Sequence, residues 1–477
     1  MLNDDIFFAS IDELSAQIRA RKLSPVELTE GYLARLERYG QKLGAVAHVM
    51  REPAMRDARA AEKEITGGHY RGALHGIPFG VKDLLATREA PTTWGATPYK
   101  DQKFDFDATV VQRLKNAGAI LIAKLAMVEL AGGMGYNEAD AAWTGAGRTP
   151  WNTEYWSGGS SSGPGAATAA ALVQFAIGSE TSGSIITPSA YCGVTGLRPT
   201  YGFISRHGAM ALSWTLDKLG PMCRSAADCA HVLNVLAGRD PLDPSSRDTT
   251  FRYPLAHAPH AATTKSGARR LRLGILKDSY EKAQDAVRDN FLASLEVLKK
   301  MPNVEIVKDA TLPDFPYGAA VGTIVDAEGA SAFRDLIESG RVRELASPTG
   351  RIGGYSASLT TAVDYLHAMR MRAPMRRAWG EMFKKYDLII APSRATVANP
   401  VAKSFDQGWP PAPASSPIGA ANLVGVPAIS VPNGFGLMGL PTGIQFVAPA
   451  WGEDALIDIT LRYQQATDWH KKRPTLA

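Results

Sequence analysis

The chain has 477 residues, of which 45% are hydrophobic and 21% are charged, a composition typical of a soluble globular protein with a large core. Its formal net charge of +5 is small against 52 basic and 47 acidic residues, and no block of five like charges indicates a nucleic-acid tail or a polybasic membrane patch. Three irregularly spaced cysteines, Cys192, Cys223 and Cys229, argue against a disulfide framework or a zinc site.

Nothing in the sequence indicates an export signal or a membrane span. The segment Met1–Asp5 is acidic, unlike the basic start of a signal peptide. The most apolar stretch, residues 165–178, is short and alanine-rich, whereas a membrane span needs roughly 18 to 20 apolar residues. We therefore expect a cytoplasmic protein that acts on a small molecule, with no nucleic-acid partner, no metal and no other cofactor.

Residues 1–70 are predicted to be helical. Ser10 can cap a first helix, with Glu13 at the third position of a capping box. Ser24 precedes a proline and a run of leucines on one face, which is typical of a second helix start. A third helix spans Glu52–Ile65 and ends at paired glycines.

Short strands and tight turns follow in residues 71–238, which we take as the part that carries the chemistry. Glycine and proline residues exclude a helix at the start of this part of the chain. Apolar runs and helical periodicity predict the other elements. The predicted elements are a strand at Gly76–Lys82, a helix at Val110–Ala117, a strand at Ala119–Ala123, a helix of small residues at Gly165–Leu172 and a strand at Leu172–Ile177.

A polar connector, residues 239–269, separates this part from an α/β part at residues 270–477. Helices are predicted near residues 285–300 and 360–385, and residues 399–421 form a long loop rich in proline and serine that covers a site. Strands are predicted at Leu271–Leu276, Leu388–Ala391, Asn422–Pro432 and Leu440–Val447. Alternating strands and helices imply an α/β layered sandwich.

Three residues in turn-rich surroundings have side chains suited to acyl transfer without histidine. Ser160 and Ser184 are glycine-flanked and 24 positions apart, and Lys82 follows apolar residues and a glycine. A lysine becomes an effective base only when burial lowers its pKa from about 10.4. Strand alternation would point Asp83 away from Lys82. Taken singly, each of these residues is weak evidence, because surface or ion-paired lysines and serines in turns or helix caps are commonplace.

In combination, these residues resemble the amidase signature family. The resemblance is carried by Lys82-Asp83, by Gly158-Gly159-Ser160-Ser161 and by Gly183-Ser184-Ile185, and it extends through residues 188–202, 216–222 and 422–445. It implies one domain, residues 1–477, built as a three-layer α/β/α sandwich around a large, mixed, twisted sheet with the N-terminal helices packed outside. It is also compatible with a homodimer through those helices, for which the sequence itself carries no signal.

The resemblance also implies the roles of the site residues. Ser184 is the nucleophile, Ser160 is held by a cis peptide bond and relays the proton, and neutral Lys82 is the base. The oxyanion is held by main-chain amides, those of Thr181, Ser182, Gly183 and Ser184. An acyl-enzyme forms, the amine leaves, and water completes the hydrolysis.

Three positions depart from the family pattern around the nucleophile. Glu180 stands where the family has aspartate, Ser182 replaces a glycine, and Ile186 replaces an arginine. An acid–arginine support is therefore absent or rebuilt, and the turn must accommodate the Ser182 side chain. The loss of arginine disfavours small substrates that carry a carboxylate.

The leading hypothesis is a stand-alone amidase that acts on linear amides, with esters and carbamates as further substrates, and that has a mainly apolar acyl pocket. The pocket candidates are Met127, Glu129, Gly132, Gly133, Met134 and Tyr136, and Trp143 and Trp214 are secondary candidates. Core packing is the alternative explanation for each aromatic residue and each methionine among them.

Two other classes of protein remain open. One is the glutaminase component of a tRNA-dependent amidotransferase, against which the missing arginine at Ile186 argues. The other is a catalytically silent binding module, which would be expected to lack one of the three reacting residues, all of which are present. The sequence does not identify the substrate.

Overall fold

One mixed sheet of eleven strands runs through the described part of the protein. The computed structural model describes residues 2–249, 251–254, 270–410 and 412–476. The strands are β1 (Val46–Val49), β2 (Pro78–Lys82), β3 (Ile120–Leu125), β4 (Phe175–Glu180), β5 (Thr195–Arg198), β6 (Lys218–Cys223), β7 (Leu271–Leu276), β8 (Val304–Ala310), β9 (Leu388–Pro392), β10 (Ala428–Phe435) and β11 (Pro441–Val447). Their order in the sheet is β1-β3-β2-β4-β6-β5-β10-β11-β9-β7-β8.

The described residues also contain fifteen α-helices. They are α1 (Asp4–Phe8), α2 (Ile11–Arg19), α3 (Pro25–Tyr39), α4 (Arg51–Thr66), α5 (Thr109–Asn116), α6 (Ser162–Ala169), α7 (Ile186–Cys192), α8 (Ala226–Leu236), α9 (Asp285–Lys299), α10 (Tyr317–Ala332), α11 (Arg334–Glu338), α12 (Gly350–Ala357), α13 (Ala362–Met382), α14 (Ile418–Val424) and α15 (Glu453–Ala466). None of these helices combines the length and the apolar character needed to cross a membrane.

The sheet topology places the predicted site at one edge of two neighbouring strands. β2 pairs in parallel with β3 on one side and with β4 on the other. Because parallel strands end at the same edge of a sheet, Lys82 at the end of β2 lies beside the last residues of β4. Antiparallel β6, β5, β10 and β11 connect this half to β9, β7 and β8. Strands from both sides of the 239–269 connector therefore lie in one sheet.

Helices cover both faces of the sheet, which confirms the predicted three-layer α/β/α sandwich. In β9, Leu388 and Ile390 belong to the core cluster that includes residues of α9 and α15. Their neighbours Ile389 and Ala391 belong to a second cluster, formed with α10, α13 and α14. Since side chains alternate along a strand, the two clusters lie on opposite faces.

The three predicted N-terminal helices correspond to α2, α3 and α4 and begin close to the predicted positions, and the short helix α1 precedes them. Ser10 forms the complete capping box with Glu13. Ser24 accepts from the amides of Val26 and Glu27, at 3.0 and 3.2 Å. The hydroxyl of Tyr32 in α3 lies 2.7 Å from Gln174 Oε1, just before β4. These helices are thereby fixed to the sheet by buried polar contacts as well as by apolar packing.

Several predicted boundaries were wrong. The helix of small residues begins three residues earlier than predicted, at Ser162, and β4 begins three residues later, at Phe175. Residues 418–424 form helix α14 where a loop and the start of a strand were predicted. This helix is buried on nearly every side, so it lacks the apolar periodicity that identifies a surface helix. Within the predicted connector, residues 250 and 255–269 lie outside the described residues.

The buried polar contacts of the Tyr32 hydroxyl anchor α3, so removing this hydroxyl should lower the stability of the protein. We expect Tyr32→Phe to lower the free energy of unfolding by about 1 kcal/mol, because it removes a buried hydroxyl that lies against Gln174 Oε1 and the Phe7 carbonyl. The matched control is Tyr39→Phe in the same helix, since no described residue is hydrogen-bonded to the Tyr39 hydroxyl. Calorimetric melting curves of the two variants check this, and equal midpoints would contradict it.

Candidate active site

The candidate base, Lys82, is completely buried at the end of β2. Its Nζ donates to the hydroxyl of Ser160 at 2.7 Å and to that of Ser179 at 2.9 Å. Both hydrogen-bond partners are neutral, and no carboxylate forms an ion pair with Lys82 among the described residues. A buried amine held only by hydroxyls has little to stabilise its charged form.

Burial lowers the pKa of Lys82 to about 7, although the charges of Asp217 and Glu180 act in the opposite direction. The adjacent Asp83 does not contribute, because it forms an ion pair with Lys124 at 2.9 Å and accepts from the amide of Thr93 at 3.0 Å. The expected alternation along the strand is therefore observed. Near neutral pH a substantial fraction of Lys82 is uncharged and able to accept a proton.

The segment that carries Ser160 contains a cis peptide bond between Gly159 and Ser160, as the resemblance implied. The Ser160 side chain is 1% exposed, and its carbonyl accepts from the Val128 amide at 3.1 Å. A Cβ added at Gly159 would lie 2.7 Å from the ring of Trp156, so glycine permits this close approach. The loop is thus held rigidly against Lys82.

Ser184 lies in the turn between β4 and α7, and its side chain is partly exposed. Its carbonyl accepts from the Ser161 amide at 3.3 Å, which joins the two serine segments. Gly183 has φ +100°, a backbone conformation that favours glycine. Within the described residues, the amides of Ser182, Gly183 and Ser184 have no hydrogen-bond acceptor, so they are free to hold an oxyanion.

Glu180 ties the end of β4 to the start of α7. One carboxylate oxygen accepts from the amides of Ile185 and Ile186, at 2.8 and 3.0 Å. The other forms a buried ion pair with Arg198 at 2.9 Å and accepts from Asn422 Nδ2 at 2.7 Å. Burial alone would raise the pKa of Glu180, but these partners hold it at about 2.

The acid–arginine support is therefore rebuilt with Arg198 rather than lost. The Ser182 side chain is exposed, so the turn accommodates it without displacing a neighbour. Ile186 is buried in the apolar cluster with Leu216 and Ile418. The three departures from the family pattern are consistent with one another. Glu180, which is longer than aspartate, pairs with Arg198, and position 186, where the family has arginine, is occupied by an apolar residue.

The remaining acidic group near Lys82 is Asp217. Its carboxylate accepts from the Thr181 hydroxyl at 2.6 Å and from the amides of Leu212 and Ser213 at 2.9 Å each. Burial raises its pKa. Among the residues that the structure describes, no group of three or more His, Cys, Asp and Glu side chains is arranged to hold a metal ion.

A cavity of about 170 Å³ borders the turn that follows β4, at Thr181. Ser179, Thr181 and Asp217 lie on its wall, together with Leu212 and other mainly apolar side chains. A Cβ added at Gly133 would lie 2.3 Å from Leu212, so this predicted pocket residue lies directly behind the cavity wall. Trp214 also lines the cavity. Trp143 does not; it donates to Thr93 Oγ1 at 2.7 Å.

The other predicted pocket residues have different surroundings. Met127 and Met134 are buried in the main core cluster. The Glu129 carboxylate accepts from the amides of Ala346 and Ser347, both at 2.8 Å, and so anchors that loop. Gly132 lies against the ring of Tyr136, where a Cβ would approach within 2.6 Å. The Tyr136 ring packs edge-on against Trp156 and Phe405.

Four residues of the site were missed from the sequence: Ser179, Asp217, Arg198 and Asn422. Ser179 had a usable signal, since it is a hydroxyl at the end of an otherwise apolar strand. Asn422 had none, because it contacts Glu180 across 242 positions of sequence. Within the predicted loop 399–421, Phe405 stacks on Trp156 at 4.4 Å between ring centroids.

The chain is similar over nearly its whole length to known amidases and to a component of an amidotransferase. The sequence profile described as Amidase matches residues 27–457. The chain is 37% identical to the putative amidase AmiD of Mycobacterium tuberculosis (strain ATCC 25618 / H37Rv), covering 99% of this chain and 97% of that one. It is 34% identical to a component of the glutamyl-tRNA(Gln) amidotransferase of Acinetobacter baumannii (strain AB0057), covering 99% of both. The native peptide amidase of Stenotrophomonas maltophilia superposes with a TM-score of 0.84 at 29% identity, over 98% of each chain.

The pKa of Lys82 predicts the pH dependence of any reaction in which it is the base. Because the neutral amine is the active form, kcat/KM should fall about tenfold per pH unit below about 7 and level off above it. Initial rates on a neutral amide between pH 5 and 10 measure this. A profile that keeps rising to pH 10 would show an ordinary lysine, and a flat one would show that Lys82 is not the base.

Because Glu180 and Arg198 form a buried ion pair, substitutions at the two positions should have strongly coupled effects on the free energy of unfolding. Either Glu180→Gln or Arg198→Met should lower the free energy of unfolding by about 3 to 5 kcal/mol, because each leaves a buried group without its charged partner. The double variant should lose much less than the sum of the two. Denaturant unfolding of all four proteins measures this coupling, and additive losses would show that the pair does not act as a unit.

Proposed function

The chain belongs to the amidase signature family, and on that premise we propose that it is a serine hydrolase that cleaves the C–N bond of small linear amides, with esters and carbamates as further substrates. The observation that carries the proposal is the 2.7 Å contact between the buried amine of Lys82 and the hydroxyl of Ser160. A lysine with a pKa of about 7 is suited to take a proton from an alcohol at neutral pH.

In the proposed reaction, Lys82 accepts the proton of Ser160 as Ser160 accepts that of Ser184. The Ser184 oxygen then attacks the amide carbonyl, and the main-chain amides of the turn, from Thr181 to Ser184, stabilise the oxyanion. The proton returns through Ser160 to the leaving amine, which leaves an acyl group on Ser184. A water molecule that gives up a proton through the same relay then attacks the acyl group and releases it from Ser184 as the carboxylic acid. The partial exposure of Ser184 beside buried Ser160 fits a nucleophile open to substrate and a relay closed to water.

We propose that the apolar cavity beside Thr181 receives one end of the substrate. It adjoins the nucleophile turn, and most of its lining is apolar. Gly133 and Trp214 of the predicted pocket residues lie on it or directly behind it. The structural contacts of Glu129 favour a supporting role for that residue rather than direct contact with substrate.

A second candidate is the glutaminase component of a tRNA-dependent amidotransferase. The 34% identity to a component of such an amidotransferase, over 99% of both chains, favours it. The similar identity to a putative amidase, and the isoleucine in place of the family arginine, favour the stand-alone enzyme. Hydrolysis of aryl amides by the purified chain alone, without glutaminase activity, would distinguish the first candidate from the second.

The catalytic assignment predicts the loss of both turnover and labelling. Ser184→Ala and Lys82→Ala should each lower kcat on an aryl amide by at least about 1,000-fold, since the reacting groups act as a unit. A fluorophosphonate should label the unmodified chain at Ser184, as read by mass spectrometry of peptides. The control is Ser331→Ala, which removes an exposed serine from α10. Turnover like that of the unmodified chain in either site variant, with the fold retained by circular dichroism, would refute the assignment.

A further inference from the structure

A hydroxyl that the proposed reaction does not use lies against its base. Ser179 is the next-to-last residue of β4 and is 7% exposed. Its Oγ lies 2.9 Å from the Nζ of Lys82, a hydrogen-bond distance, and the hydroxyl of Ser160 lies 2.7 Å from the same nitrogen. Among the described residues, this nitrogen has no third hydrogen-bond partner. The orientation of the amine is therefore set by two hydroxyls.

The hydrogen-bonding capacity of a neutral amine gives these two hydroxyls different tasks. A neutral amine has one lone pair and two N–H bonds. For Lys82 to take a proton from Ser160, the lone pair must point at the Ser160 hydroxyl. The N–H bonds then point elsewhere, and within the described residues Ser179 Oγ is the acceptor that remains for one of them. Without that acceptor, the amine is free to turn its lone pair away from Ser160.

The main chain of Ser179 is fixed relative to the relay segment. Ser161, the neighbour of Ser160, contacts both main-chain groups of Ser179. The Ser179 amide donates to Ser161 Oγ at 3.3 Å, and the Ser161 hydroxyl donates to the Ser179 carbonyl at 3.1 Å. A Cβ added at Gly178 would lie 3.1 Å from Ser161 Oγ, so glycine leaves room for this contact. Ser179 therefore keeps a fixed position with respect to both Lys82 and Ser160.

The Ser179 hydroxyl has no competing hydrogen bond. Among the described residues it has no acceptor for its own proton, and Ser179 lies on the wall of the cavity of about 170 Å³. A hydroxyl rotates freely, so its proton can point into the cavity while its oxygen faces Lys82. The carboxylates of Asp83, Glu180 and Asp217 are each engaged with other partners. Ser179 is thus a neutral acceptor that contacts the base without giving it a charged partner.

We propose that Ser179 is a positioning residue for the base: it accepts an N–H of Lys82 and so holds the lone pair of the amine towards Ser160. This inference rests on the proposed function for its reaction. Ser179 itself exchanges no proton with the substrate and acts through Lys82. Once Lys82 has taken the proton, its ammonium donates more strongly to the same oxygen, so the contact also stabilises the charged form.

The proposal predicts two separate effects of Ser179→Ala. The plateau of kcat/KM on an aryl amide should fall by about 10- to 100-fold, because the amine is no longer oriented. The pH at which Lys82 is half protonated should fall by about half a unit to one unit, because the ammonium loses an acceptor, and the acidic limb of kcat/KM should move with it. Ser179→Thr keeps the hydroxyl and should retain most of the plateau and the original midpoint.

The Lys82 midpoint can be read without turnover. The full chain is labelled with ¹³Cε-lysine and titrated by NMR, and the Lys82 signal is the one absent from Lys82→Met. Initial rates between pH 5 and 10 give the plateau and the limb. The matched control is Ser189→Ala, which removes a buried hydroxyl of α7 that has no hydrogen-bond partner among the described residues. This control should leave both readouts unchanged.

Three results would overturn the proposal. In the first, Ser179→Ala keeps the plateau of the unmodified chain. In the second, the Lys82 midpoint stays the same or rises, a rise being the result expected if Ser179 donated to the neutral amine instead. In the third, the loss is as complete as that of Ser184→Ala, which would make Ser179 a reacting group. If the unmodified chain hydrolyses no amide, the proposed hydrolase fails, and the NMR midpoint alone decides whether Ser179 accepts from Lys82.

Discussion

The site depends on removing one amine from water without giving it a charged partner. Lys82 is buried at the end of a central strand and is hydrogen-bonded only to the hydroxyls of Ser160 and Ser179. The carboxylates around it are all engaged elsewhere: Asp83 with Lys124, Glu180 with Arg198, and Asp217 with a hydroxyl and two amides. Moving any one of these carboxylates onto Lys82 would favour its ammonium form. The neighbouring ion pairs are therefore a condition for the base role that we propose for Lys82, although none of them takes part in the proposed reaction.

The nucleophile turn illustrates how substitutions compensate within such a network. Glu180 is one methylene longer than the family's aspartate and reaches Arg198, while its second oxygen holds the amides that open α7. An arginine at position 186 would place another cation in the apolar cluster of Leu216 and Ile418, where Ile186 now packs. A buried acid needs strong donors, and the sequence positions that supply them can change as long as their number does not.

Local chemistry explains which elements the sequence could predict. The caps at Ser10 and Ser24 depend on residues within three positions of each other, and both were predicted correctly. Lys82, Ser160 and Ser184 were identified by the resemblance of their motifs to those of the amidase signature family, and the structure brings Lys82 and Ser160 into contact as expected. Helix α14 was missed because a helix buried all round has no amphipathic pattern, and the Glu180–Asn422 contact was missed because no local pattern links residues 242 positions apart.

The same distinction separates the three proposed catalytic residues from the side chains that surround them. Lys82 and the two serines lie at strand ends and in the turns next to them, where topology fixes the geometry and a short motif suffices to identify it. Tyr136 and Phe405 come from connections that are far apart in sequence, and their rings meet only through packing. Connections can change without disturbing the sheet, so one catalytic framework can accept different substrates. In this protein the determinants of specificity are therefore to be sought in the lining of the apolar cavity beside Thr181, rather than in the residues that define the family.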